Sequence, residues 1–276
     1  MASQQDWLGL TDKVVIVTGG ASGIGRAVCE GLAETGAHVV VADVNKAGAQ
    51  ALVNDLTTRC GGKHLAVAAD VTSKSSVDAI IADTVAALGG VDILVNNAGI
   101  NIPRLLVDPA GKEELTEAIW DKIVAINQKG QFLCAQAAAR HMLASGKGGV
   151  IINMASECGQ EGSEGQSAYA GTKAATYTLT RSWAKELGKH NIRVVGVAPG
   201  ILEATALRTE EYERALAYTR GITIERLRES YKKTSIPLGR SGTLREVANT
   251  VCFLASDRAG YIHGTTINIS GGKSRA

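Results

Sequence analysis

Val14-Val15-Ile16-Val17-Thr18-Gly19-Gly20-Ala21-Ser22-Gly23-Ile24-Gly25 is the stretch that sets the fold. Its β-branched start, 14–17, predicts a buried strand, and a helical pattern follows over 24–35 until Gly36 stops it. Residues 38–42 form a second apolar run. The whole is a strand–helix–strand unit of about thirty residues. Glycines at the strand-to-helix turn permit unusual backbone angles and let a phosphate group approach the main chain. The free N–H groups at the start of the helix then face that phosphate. A glycine-rich turn alone is a weak signal; the strand before it and the helix after it supply the context of a dinucleotide-binding turn.

Outward from this unit the alternation continues. Helical patterns cover 45–60, 73–88, 120–144, 167–190 and 244–254, and strand patterns cover 65–68, 91–95, 150–154, 194–198 and 266–269. Alternating strands and helices predict an α/β fold: a doubly wound parallel sheet of about seven strands with helices on both faces, the Rossmann type. No linker or repeat divides the chain, so 1–276 reads as a single domain. The segment 203–235 is a long excursion with mixed charges at helical spacing, as in Glu210-Glu211-Tyr212-Glu213-Arg214. It is expected to be a helical lid over a substrate.

Composition narrows the function classes. With 45% hydrophobic residues in 276, the chain can bury a full α/β core. Its net charge of +2 and lack of a basic stripe give no reason to expect nucleic acid. Residues 1–12 are polar, and no apolar run approaches the ~20 residues that span a bilayer, so a cytoplasmic location without membrane contact is expected. Cys29, Cys60, Cys134, Cys158 and Cys252 form no CxxC pair and read as reduced thiols. The five histidines have no metal-ligand spacing, and no metal is expected.

At the cofactor end, Gly19, Ser22, Gly23, Ile24 and Gly25 are the candidate pyrophosphate contacts. Asp43 ends the second strand, where a carboxylate accepts hydrogen bonds from ribose hydroxyls and repels the 2′-phosphate of NADP. NAD is therefore the expected cofactor, with Lys46 nearby as a countervailing charge.

At the opposite end of the crevice, Tyr169 and Lys173 are four apart on a predicted helix and so share one face. Ser156 follows the strand ending at Met154, thirteen residues before Tyr169, over the edge of the sheet where ligands bind. Oxidising an alcohol requires removing its hydroxyl proton as hydride leaves. Free tyrosine, with a pKa about 10, is a poor base at neutral pH, and a neighbouring ammonium lowers that value. Tyr169 is thus the candidate general base, Lys173 the group that favours its phenolate and holds the ribose, and Ser156 the group that orients the substrate oxygen.

Thr18-Gly19-x-x-x-Gly23-x-Gly25, Asn96-Asn97-Ala98-Gly99 and Tyr169-x-x-x-Lys173 together resemble the classical short-chain dehydrogenases/reductases, over about residues 13–272. The resemblance implies that Asn97, Ala98 and Gly99 hold the cofactor side of the sheet and that Asp70 and Val71 meet the adenine. It implies that Asn127 supports a proton-relay water behind Lys173, and that Pro199, Gly200 and Ile201 meet the nicotinamide. The family often has Thr four residues after that Gly; here Ala204 stands there, with Thr205 next. It also implies a homotetramer.

Asn101-Ile102-Pro103-Arg104, Glu161-Gly162-Ser163-Glu164 and the ending Ser270-Gly271-Gly272-Lys273-Ser274-Arg275 carry a narrower likeness within the family, to sorbitol-6-phosphate 2-dehydrogenases. That likeness implies a sugar-alcohol phosphate as substrate. Arg104, Arg208, Lys273 and Arg275 are the candidate phosphate ligands, and Glu157, Glu161, Asn101 and Glu203 the candidate hydroxyl ligands. An unphosphorylated polyol would keep every motif except the phosphate site. A non-catalytic cofactor-binding scaffold on the same fold would commonly lose Tyr169 or Lys173, and this chain keeps both.

Overall fold

The computed structural model describes residues 6–205, 208–231 and 236–274. Positions 206–207 and 232–235 of the expected lid, and Arg275, lie outside the described residues. The strands are β1 (Val14–Thr18), β2 (His38–Asp43), β3 (Leu65–Ala68), β4 (Ile93–Asn96), β5 (Gly149–Met154), β6 (Ile192–Pro199) and β7 (Thr266–Ile269). They form one parallel sheet in the order β3-β2-β1-β4-β5-β6-β7. The order reverses between β1 and β4, and a crevice opens at such a switch point beyond the carboxyl ends of the strands.

Both faces of the sheet are covered because successive side chains of each strand point opposite ways. Val15 and Val17 pack with Val28 and Leu32 of α1 (Gly23–Glu34), Leu52 and Leu56 of α2 (Lys46–Cys60) and Val247 and Val251 of α10 (Leu244–Ala255). Val14 and Ile16 pack the other way, with Val77 and Ile80 of α3 (Lys74–Leu88), Leu133 and Met142 of α5 (Gln131–Ser145) and Ala184 of α7 (Ser167–Leu187). The helix starts follow the sequence: Asn45 and Ser73 cap α2 and α3 through side-chain oxygens, and Thr243 and Glu246 make a reciprocal capping box on α10.

Several boundaries differ from the sequence reading. The expected helix over 120–144 begins earlier, as α4 (Glu117–Val124), with Thr116 as its cap. It continues into α5 through a π-helical turn, Ala125–Gly130, that puts one extra residue into the spiral at Asn127. Strand β4 starts at Ile93 rather than 91, and β6 is longer at both ends than 194–198. A short helix, α6 (Cys158–Glu161), follows the strand that ends at Met154. The excursion beyond β6 contributes α8 (Glu210–Thr219) and α9 (Ile224–Ser230), capped by Thr209 and Thr223. Leu216, Ala217, Leu227 and Tyr231 make a small apolar cluster of their own there.

Candidate active site

A cavity of about 960 Å³ opens over the carboxyl ends of β1, β2, β4, β5 and β6. That is ample for a dinucleotide end and a small substrate. Gly19, Ser22, Gly23 and Ile24 border it at the first turn. Thr18 and Asn97 hold this turn rigidly. The Asn97 amide Nδ2 donates to the carbonyls of Thr18 and Gly19, each at 3.0 Å. The buried Thr18 hydroxyl accepts from the backbone N–H groups of Asn97 and Ala98, each at 3.1 Å. Asn96, by contrast, turns inward and donates to Asn153 on β5.

Gly25 corrects the sequence reading, which set it among the cofactor contacts. It does not border the cavity but lies behind the turn. A Cβ there would sit 2.1 Å from the Gly19 carbonyl oxygen and 2.6 Å from Asn97 Nδ2. Its absence of a side chain lets α1 pack against the turn, so Gly25 acts on the site through packing.

Farther along the cavity rim, Asp43 takes backbone N–H bonds from Ala21 (3.0 Å) and Asn45 (2.9 Å) at its two oxygens. The carboxylate is thereby fixed at the end of β2. Asp70 and Val71 border the same end. The Thr72 hydroxyl, 2.7 Å from Asp70, holds that carboxyl below its usual range. Asn97, Ala98, Gly99, Pro199, Gly200 and Ile201 complete the crevice floor. Thr205 also borders it, with its Cβ 3.6 Å from where a Cβ on Gly23 would lie. The threonine one place late in the sequence thus still faces the glycine turn.

Ser156, Tyr169 and Lys173 meet at the inner wall of the cavity. The Ser156 carbonyl accepts from the Tyr177 hydroxyl at 3.1 Å, and its Oγ accepts from the Cys158 N–H at 3.3 Å. Lys173 is buried, donates to the Met154 carbonyl at 2.6 Å, and lies 5.7 Å from the centre of the Tyr169 ring. Burial lowers the Lys173 ammonium to about 8. Burial, with a lesser contribution from Cys158, raises the Tyr169 phenol well above its ordinary value, while a hydrogen bond with Ser156 opposes that rise. Both shifts have the same cause: removal from water penalises the charged form of each group. A phenolate on Tyr169 therefore needs positive charge brought to it.

Asn127 does not border the cavity. It is buried behind it, where the π-turn directs its carboxamide at Ile100: Oδ1 accepts from the Ile100 N–H (2.8 Å) and Nδ2 donates to the Ile100 carbonyl (2.9 Å). Nδ2 also reaches the Thr172 hydroxyl (3.3 Å), beside Lys173. Asn127 thus ties the Asn97–Gly99 turn to the helix that carries Tyr169.

At the substrate end, Glu157 is the notable group. It is 4% exposed, Oε1 is ion-paired with Lys273, and Oε2 has no hydrogen-bond partner among the described residues. Burial raises its carboxyl above the usual range, and Lys273 works against that rise. Glu161, Asn101, Glu203 and Arg208 border the cavity too. Glu203 is occupied in capping α10, through the Leu244 N–H at 2.7 Å. Arg208 is held by Glu213 (3.2 Å), by the Leu202 carbonyl (3.1 Å) and by stacking on the Tyr231 ring (4.0 Å). Arg104 is the clearest departure. It does not border the cavity; its guanidinium pairs with Glu113 at 2.6 Å and with the carbonyl of Pro103. Sequence reading also missed Gln166, Tyr212, Arg220 and Tyr231, which all face the cavity. Gln166 donates to the Tyr212 hydroxyl at 2.8 Å, linking the start of α7 to α8. Nothing in local pattern marks these residues, since only the fold brings α8 over Ser156. Among the described residues no group of three or more His, Cys, Asp or Glu could hold a metal ion, and no helix is long and apolar enough to cross a membrane.

The short chain dehydrogenase family model matches residues 13–215. The chain is 55% identical, over 98% of both chains, to sorbitol-6-phosphate 2-dehydrogenase of Klebsiella pneumoniae. It is 37% identical to sorbitol dehydrogenase of Cereibacter sphaeroides, covering 95% of this chain and 98% of that one. Among solved structures, 3-ketoacyl-(acyl-carrier-protein) reductase of Brucella melitensis complexed with NADH superposes with a TM-score of 0.81 at 32% identity, over 97% of this chain and 100% of that one.

Proposed function

The chain belongs to the short-chain dehydrogenase family, and we propose that it oxidises sorbitol 6-phosphate to fructose 6-phosphate with NAD, and the reverse. The observation that carries the reading is the convergence of Ser156, Tyr169 and Lys173 on one cavity wall beside the Glu157–Lys273 pair. The residues present fit the cofactor. The glycine turn presents backbone to a pyrophosphate, and the fixed carboxylate of Asp43 suits ribose hydroxyls and disfavours a 2′-phosphate. NAD bound along this crevice supplies the hydride acceptor and a positive charge beside Tyr169.

The chain's own part is proton handling and orientation. The Ser156 hydroxyl donates to the substrate oxygen and keeps it against Tyr169. Tyr169 takes the hydroxyl proton as the carbon–hydrogen bond breaks, and returns it in the reverse direction. Lys173, held by the Met154 carbonyl, places its ammonium beneath the phenol, so proton loss from Tyr169 is met by a nearby cation. Asn127 positions the turn behind Lys173. The Glu157–Lys273 pair borders the same cavity and offers polar groups to the further hydroxyls that a polyol has and a simple alcohol lacks.

Support for the phosphate comes from the Klebsiella pneumoniae relative, and support for a free polyol from the Cereibacter sphaeroides one. The engagement of Arg104 and Arg208 elsewhere also favours the free polyol. The deciding experiment compares NADH formation with sorbitol 6-phosphate and with sorbitol, each repeated with NADP. Preference for the phosphate and for NAD is the expected result. Equal rates with both polyols would discard the phosphate site and keep the roles of Ser156, Tyr169 and Lys173. We further propose a homotetramer, for which the exposed Trp120 on α4 and Phe132 on α5 offer apolar surface. A light-scattering mass of one chain would overturn it.

A further inference from the structure

The sugar-phosphate reading leaves its phosphate without a ligand once Arg104 and Arg208 are accounted for. Five cationic side chains border the cavity among the described residues: Lys122, Lys173, Arg208, Arg220 and Lys273. Three of them are committed. Lys173 is held by the Met154 carbonyl, Lys273 by Glu157, and Arg208 by Glu213 and the Tyr231 ring. Lys122 is exposed on α4.

Arg220 differs from all of these. It closes the C-terminal end of α8 and is half-buried. Its Nη2 donates to the Ser163 hydroxyl at 3.1 Å, across the gap between α8 and the segment joining α6 to α7. No carboxylate pairs with it among the described residues. A guanidinium carries five N–H donors in a planar fork, so one bond to Ser163 leaves several free. Its charge is felt inside the site, at the Cys158 thiol and at the Tyr212 and Tyr231 hydroxyls. Ser163 accepts from Arg220 and keeps its own O–H to donate.

We infer that Arg220, with Ser163 beside it, binds the phosphate of the substrate. The inference rests on the sugar-phosphate reading above and deepens it. A planar fork that is fixed at one edge and unpaired at the other matches two oxygens of a phosphate monoester. A phosphate there meets Arg220 at the end of α8 and Ser163 on the segment joining α6 to α7, two groups already linked at 3.1 Å. Unphosphorylated sorbitol has no group to meet them.

The test measures kcat/KM for sorbitol 6-phosphate and for sorbitol in the wild type, Arg220→Gln, Arg220→Lys, Ser163→Ala and Lys122→Gln, with NADH binding followed by fluorescence. The wild type is expected to prefer the phosphate. In Arg220→Gln the ratio of the two values falls about 10- to 100-fold, from lost charge-assisted hydrogen bonds, while NADH still binds. Arg220→Lys keeps the charge and loses the fork, so its ratio lies between. Ser163→Ala lowers the ratio by a smaller factor. A wild-type preference that survives in Arg220→Gln, or that Lys122→Gln abolishes instead, overturns the assignment and leaves the sugar-phosphate reading standing. If Arg220→Gln fails to fold, an unchanged ratio in both Arg220→Lys and Ser163→Ala overturns it. A wild type without preference refutes the sugar-phosphate reading itself.

Discussion

Thr18→Val isolates one oxygen atom behind the glycine turn after β1. The Thr18 side chain is buried, and its Oγ1 accepts from two backbone N–H groups, those of Asn97 and Ala98 at 3.1 Å each. It donates weakly to the Val95 carbonyl at 3.4 Å. Valine has nearly the same shape, so no cavity opens and the β-branched preference for β1 is kept. What changes is that two partly buried N–H groups lose their acceptor. Each such loss costs about 1–3 kcal/mol. Taking the lower half of that range for partial burial, the sum is about 2–4 kcal/mol. For a chain of this size, 1 kcal/mol moves Tm by roughly 2–4 °C, so the melting temperature falls by about 5–15 °C. Thr18→Ser keeps the oxygen and loses one methyl, worth about 0.8 kcal/mol. Differential scanning calorimetry on the three proteins reads the order directly, wild type above Ser above Val, and NADH affinity should follow it because this hydroxyl holds the backbone of Asn97, whose side chain fixes the Gly19 carbonyl. A valine variant melting within about 2 °C of wild type, or above the serine variant, would refute the assignment of the turn's rigidity to this hydroxyl.

Two further outcomes follow from the same site. Lys173→Met should abolish turnover yet stabilise the protein below pH 8. The folded Lys173 sits at about 8 against 10.5 unfolded, so the unfolded chain binds more protons between those values and wild-type stability rises with pH across that window. The methionine variant's advantage in urea midpoint, on the order of 2 kcal/mol after the lost bond to Met154, should therefore shrink from pH 8 to pH 10.5, and a constant gap would contradict it. Gly25→Ala forces a methyl to 2.1 Å from a backbone oxygen, so it should cost about 3 kcal/mol of stability and most NADH affinity; retention of both in a calorimetric and fluorescence titration would show that α1 can yield.

How far the site could be read from sequence depends on how local each signal is. The glycine turn, Asp43, Asn97 and the Tyr169–Lys173 pair are legible because each is defined by neighbours within a turn or a strand end. Asn127 is legible only as a position in a helix. Its aim depends on the π-turn Ala125–Gly130, and no residue in 120–131 announces an extra residue in the spiral. The substrate end is the least legible. Arg104 looks available in sequence, yet its carboxylate partner Glu113 lies nine residues on in a loop with no periodicity. Arg220 and Ser163 are 57 residues apart and meet only because the end of α8 comes against the segment that follows α6. Charged residues on an excursion such as 203–235 look alike until a tertiary contact separates them. Arg208 and Arg228 both go to the buried Glu213, and Arg220 goes elsewhere.

Glu157 shows what it takes to keep a buried charge beside Ser156. A buried carboxylate with one oxygen ion-paired and the other unpartnered is costly to keep, and burial accordingly pushes its proton affinity up. Lys273 offsets part of that cost from 116 residues away, which ties the C-terminal segment to the residue following Ser156. The remaining oxygen lies 2.7 Å from where a Cβ on Gly200 would be, between the catalytic serine and the crevice floor. That oxygen has almost no accessible surface, so it faces the packed backbone at Gly200 rather than the open cavity. Ser156, Tyr169 and Lys173 suit any secondary alcohol, so selection among alcohols has to come from groups such as the Glu157–Lys273 pair that border the same cavity.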